Sequence, residues 1–151
     1  MPDNFTPLFS EILEEVAKAK TKYKKIQLLR KHETVELRMV LKGSFDPSII
    51  WALPEGEVPY IPNDAPAGTE HTLLSKQVRI LTNFIKGDVP NLTQGKREQM
   101  YIQLLEGLHK SEAELMVAVK DKKVHTKYKG LSTNVVKEAF GWNDNFRIPK
   151  K

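Results

Sequence analysis

The sequence predicts an all-α fold on three observations: apolar residues recur at three- and four-residue spacing, capping residues precede those runs, and period-two alternation is absent. At 151 residues the chain is the size of one ordinary domain, long enough to bury a core. The expectation is a compact domain of about seven to eight helices over 1–142, interrupted by one proline-rich loop, 54–71, and followed by a basic tail, 143–151.

Thr6 and Pro7 open a first helix, with Leu8, Phe9, Ile12, Leu13 and Val16 at helical spacing, running to about Lys20. A second begins near Thr21 and places Tyr23, Ile26 and Leu29, with Leu28, on its apolar side. Its lysines and arginine, Lys22, Lys24, Lys25, Arg30 and Lys31, lie outside and read as a solvated face, with a second, weaker anion surface as the other reading. Thr34 caps a third helix carrying Val35, Leu37, Val40 and Leu41, which Gly43 ends. Phe45 to Leu53 reads as a short apolar turn of helix.

Prolines 54, 59, 62 and 66 with Gly56 and Gly68 forbid a continuous helix through 54–71. The expected conformation is a long loop strapped to the core by Val58, Tyr60 and Ile61. Helical spacing resumes with Leu73, Leu74, Val78, Leu81, Phe84 and Ile85, ending at Gly87. A further helix covers Gln94 to Leu108, burying Met100, Tyr101, Leu104, Leu105 and Leu108. Ser111 and Glu114 then form a capping box for a helix with Leu115, Met116, Ala118 and Val119 inside, and Ser132 caps a last one carrying Val135, Val136, Ala139 and Phe140. In the tail, Phe146 and Ile148 are the expected anchors.

A net charge of +5 favours an anionic partner. The absence of cysteine excludes disulfides, thiol nucleophiles and thiolate metal sites, and suits a reducing compartment. No apolar run approaches the about 20 residues of a membrane span, and no basic-then-apolar leader opens the chain. The expected setting is the cytoplasm, without membrane partners.

Catalytic signatures fail in turn. Gly43-Ser44-Phe45-Asp46-Pro47 resembles the start of a nucleotidylyltransferase phosphate motif but lacks its downstream histidines, and the glycines before Lys96 are too widely spaced for a phosphate loop, with Arg97 in place of the magnesium-ligating hydroxyl. His32, His71, His109 and His125 show no metal-ligand pairing. Glu33, Glu36, Asp46 and Asp88 form no recognisable carboxylate cluster, and Trp51 and Trp142 occupy apolar helical positions that suit a core. Neither an enzyme nor a cofactor site is expected.

The strongest functional signal is Lys120–Phe140. Lys120, Lys122, Lys123, Lys127 and Lys129, opposed there by Asp121, precede Gly130 and the cap Ser132 with Thr133. Lysines beside the unpaired amides and positive dipole end of a helix suit phosphate capture. Lys96, Arg97 and Lys137 extend the expected patch. A second candidate surface is the loop, where Val58, Tyr60, Ile61 and Pro62 form a peptide-like anchor for a protein partner in replication, transcription or the virion.

The segments SEILEEVAKAKTKYKKIQLLRKH, ELRMVLKGSFDPSI, the helix around Leu104 to Val119 and YKGLSTNVVKEAFGW resemble, in order and spacing, the all-helical N-terminal DNA-binding domain of ATP-dependent DNA ligases from tailed phages. FDPSIIWALPEGEVPYIP is similar to small proteins of large tailed phages. The resemblance implies a free-standing phage relative that holds double-stranded DNA through backbone and minor groove inside the host cell, with Lys127, Lys129, Gly130, Ser132 and Thr133 at the gripping turn. The ligase nucleotide-binding and OB-fold domains and the Lys-x-Asp-Gly motif are absent, and the turn is longer and richer in lysine. Ligation is therefore not expected of this chain.

Overall fold

A computed structural model describes residues 7–62 and 72–143, and its regular structure is helical. The described α-helices are α1 (Phe9–Lys18), α2 (Lys22–Lys31), α3 (Val35–Phe45), α4 (Leu74–Gln77), α5 (Gln94–Gly107), α6 (Lys110–Lys120), α7 (Val124–Lys127) and α8 (Thr133–Phe140), with a 3₁₀ run, Val78–Phe84, following α4. Among the described residues no sheet forms; extended backbone pairs only in isolated bridges, Trp51 with Ile85 and Thr72 with Leu108. No described helix is long and apolar enough to cross a membrane.

The packing is organised around α6, which touches α1, α3, α5 and α7. Its Ala113, Leu115, Met116 and Val119 are fully buried, against Leu13 and Val16 of α1, Leu37 and Leu41 of α3 and Tyr101 and Leu105 of α5 in one continuous core. Helix α2 lies against both α1 and α8.

Local chemistry explains most of the helix starts. Thr21, Thr34, Thr93 and Ser132 each accept a hydrogen bond from the backbone N–H three residues on, satisfying one orphan donor of the following helix. Expectation and structure part at several points. Val78, Leu81 and Phe84 are spaced by three, which lines them up on a 3₁₀ helix, so the expected helix after Thr72 is α-helical for one turn only. Gly43 does not end α3; it sits inside it because the Trp51 ring crosses there, with an added Cβ only 2.8 Å from Trp51 Cζ2. The indole Nε1 donates to the Gly43 carbonyl at 2.8 Å. Phe45 to Leu53 forms no second helix, since Asp46 Oδ1 accepts from both the N–H and hydroxyl of Ser48 and turns the chain. The expected Ser111–Glu114 box is replaced by His109, whose Nδ1 accepts from the Ser111 N–H at 3.1 Å. Tyr23 and Val35, expected inside, are exposed. Thr6 and the tail anchors Phe146 and Ile148 lie outside the described residues.

Glu112, in the first turn of α6, holds the arrangement together. It is buried, and its two carboxylate oxygens accept the N–H groups of Phe9, at 2.9 Å, and Leu74, at 3.0 Å. Each donor is the first residue of a helix, so one negative charge sits at the positive ends of α1, α4 and α6 together. Ser10 and Ser111 hydroxyls, 2.7 Å apart, reinforce the α1–α6 junction.

Replacing Glu112 with Ala orphans two buried donors and should lower the unfolding free energy by about 3 kcal/mol in urea melts. Burial raises the Glu112 carboxyl above its usual range, outweighing the opposite pull of the two backbone donors and His109. Between the ordinary and the raised value the folded chain keeps a proton that the unfolded chain has released, so stability from this group falls as pH rises through that window. Urea melts of the wild type should show this decline relative to Glu112→Gln, which cannot titrate.

Candidate nucleic-acid interface

The fold distributes the cations of the late elbow very differently from their sequence order. Lys120 points inward with a side chain 1% exposed; its Nζ donates to the carbonyls of Pro54 (2.7 Å) and Gly56 (3.0 Å) and pairs with Asp121 at 2.5 Å. Asp121 also accepts the Gly56 N–H. Lys122, held at φ 57°, sends its ammonium to the carbonyls of Gly43 and Asp46 at the C-terminal end of α3, where a positive charge complements the helix dipole. Burial lowers its pKa, partly offset by Asp46. Both lysines are therefore corrected from phosphate ligands to internal ties. Lys123 lies 3.6 Å from Glu55, and Lys127 lies 3.7 Å from Glu114 with its ammonium over the Tyr128 ring.

Arg97 is likewise structural. It is buried and donates to the carbonyls of Asn83, Val89 and Leu92 and to Gln94 Oε1, knitting the 84–93 connection to α5. Lys96 is exposed at the start of α5, which packs on α6 and the 3₁₀ run. Lys137, in α8, is half-buried and engaged.

Lys129 is exposed, and Gly130 beside it adopts φ 91°, the left-handed conformation that favours glycine. Ser132 caps α8 through Val135, and Thr133 opens that helix half-buried. Against this turn the fold brings α2: an added Cβ on Gly130 would lie 2.7 Å from Lys25 Cε and 3.3 Å from its Nζ. The same ammonium donates to the Ala19 carbonyl, so the α1–α2 turn, α2 and the turn before α8 meet at Lys25.

This junction displays a charge run that the elbow lacks. From Lys18 to Lys31 the chain carries Lys18, Lys20, Lys22, Lys24, Lys25, Arg30 and Lys31 with no Asp or Glu. Lys22 pairs with Glu138 at 3.3 Å across an exposed contact, and Arg30 donates to the Glu138 and Ala139 carbonyls of α8. Lys18, Lys20, Lys24 and Lys31 form no ion pair among the described residues. The unopposed run was visible in the sequence; its adjacency to Gly130 was not.

The loop shows mixed behaviour. Val58 and Tyr60 pack on the core, while Ile61 is 78% exposed with its N–H bonded to Glu106 Oε2 at 2.9 Å. Residues 63–71 of the loop lie outside the described residues. Trp51 and Trp142 pack on the core as well. Among the candidate carboxylates, Glu33 pairs with Arg38 and Asp46 is buried. No described group of three His, Asp or Glu side chains could hold a metal ion.

Changing Lys120 to Met removes the donor to two loop carbonyls and strands the partly buried Asp121 charge. It should reduce stability by about 3 kcal/mol and expose 54–62 to limited proteolysis, whereas Lys129→Met should change neither.

A model for a family of unknown function, DUF6433, matches residues 12–126, more than half of the chain, and the chain belongs to that family. No curated protein and no solved structure matches it.

Proposed function

We propose that this DUF6433 chain is a non-catalytic DNA-binding protein that grips sugar-phosphate backbone with little sequence preference, working in the cytoplasm of a phage-infected host. The observation that carries the reading is the acid-free cationic run Lys18–Lys31, set against the Lys129–Gly130 turn through Lys25. Unopposed ammonium groups on one junction release counterions from a polyanion, which is the main source of sequence-independent affinity. The resemblance to the ligase DNA-binding domain adds duplex DNA as the expected ligand and the turn before α8 as part of the grip. The contributing residues in this reading are Lys18, Lys20, Lys24, Lys31 and Lys129, with Lys25 tied to the Ala19 carbonyl and Lys123 and Lys127 weakened by their glutamate partners.

Fluorescence anisotropy with a labelled blunt duplex tests it. If about four phosphates are neutralised, the affinity should fall with a logarithmic salt slope of roughly −3.6. Charge reversal at Lys18, Lys24 and Lys31 together should flatten that slope by about 3 and abolish binding at moderate salt, with unchanged helical circular dichroism. Unaltered affinity in that variant refutes the face.

Ile61 supports a second reading, a protein-interaction adaptor for a replication, transcription or virion component, because a large aliphatic side chain stands in water beside a tied-down segment. Ile61→Asp should then abolish capture of that protein partner in a pull-down while leaving duplex affinity intact.

A further inference from the structure

We propose that Tyr23 makes the cationic face a reader of unpaired bases, so that nucleic acid with a single-stranded segment is held more tightly than continuous duplex; this rests on the backbone-gripping reading above. Tyr23 is the second residue of α2 and is 69% exposed. The other tyrosines are packed: Tyr101 and Tyr128 are buried and Tyr60 lies against the core. Tyr23 therefore leaves an aromatic face in water between Lys22 and Lys24, inside the acid-free run.

Its neighbourhood completes a nucleotide-binding chemistry. Gln27, four residues on, is its neighbour on the helix surface and lines a cleft of about 480 Å³ between the end of α1 and α2. Lys18, Lys24 and Lys31 stand at that cleft, and Ala19 and Leu28 contribute its apolar surface. The acid on its rim, Glu15, lies 3.4 Å from His32. Ammonium groups at the rim suit phosphates, the apolar lining suits a sugar or base, and the exposed Tyr23 ring, one helical turn before the lining residue Gln27, offers a stacking platform. Alternating cations and an exposed aromatic is the combination by which proteins hold single strands without reading sequence. Bases inside a continuous duplex are stacked on both faces and present no free π-surface, so the ring distinguishes the two forms.

The experiment uses the full chain and three fluorescein-labelled probes: a single strand, a blunt duplex, and the same duplex with a single-stranded tail. The wild type should bind the strand and the tailed duplex more tightly than the blunt duplex. Tyr23→Ala should weaken both by about tenfold, the effect of one stacked base, and leave the blunt duplex within about twofold. The salt slope should not change, because it counts neutralised phosphates and the ring neutralises none. Tyr23→Phe should retain the preference, since stacking needs the ring and not the hydroxyl. If Tyr23→Ala leaves the tailed-to-blunt ratio unchanged, or weakens all three probes equally, the base-stacking role is overturned while backbone gripping stands. If the wild type binds none of the probes, both readings fall together.

Discussion

One buried carboxylate sets the geometry of this domain. Glu112 accepts backbone donors from Phe9, 103 residues away in sequence, and from Leu74, 38 away. Helix starts carry amides without intrahelical partners, and a core cannot leave them dry and unpaired. By supplying both acceptors, Glu112 fixes where α1 and α4 begin relative to α6. Burial opposes its charge, yet each hydrogen bond it accepts favours that charge. The direction of α1 then decides where the turn at Ala19 emerges, and with it the position of α2 against α8.

The second constraint is the disposal of loop carbonyls. The connections 46–62 and 84–93 contain little regular structure, so many of their carbonyl groups need donors from elsewhere. Lys120, Lys122 and Arg97 supply them, each reaching two or more backbone oxygens. Charge counted along the sequence therefore overstates the field at the late elbow. Cations are spent on holding the strap, on ending α3, and on facing Glu55 and Glu114.

The positive charge left for a partner lies mainly on α2 and the end of α1, where α2 packs against α8. There α2 packs with Ile26 and Leu29 inward and keeps Lys22, Lys24 and Lys31 in water, while Arg30 ties the helix to the α8 carbonyls. The absence of any acid between Lys18 and Lys31 means that the local field is not cancelled within the segment. Tyr23 adds the feature by which a surface of this charge distinguishes among polyanions.

The all-α class, the threonine and serine caps at 34 and 132, and most of the buried stripes were determined by the sequence itself. These depend on interactions within a few residues, namely helical periodicity and side chain to backbone capping. The same reasoning failed where a distant partner intervened. Gly43 reads locally as a helix stop, and only the Trp51 ring across it explains a glycine inside α3. Val78, Leu81 and Phe84 signalled three-residue spacing, but the choice of 3₁₀ over α was made by packing against the core. For the candidate site, the cations themselves were legible as residue types; which of them face water was decided by tertiary structure alone. A lysine's stem is long enough to reach either solvent or a carbonyl, and the outcome depends on whether another segment brings an unpaired oxygen within its range. Lys120 and Lys129 are alike in sequence, and the strap at Pro54 and Gly56 separates them.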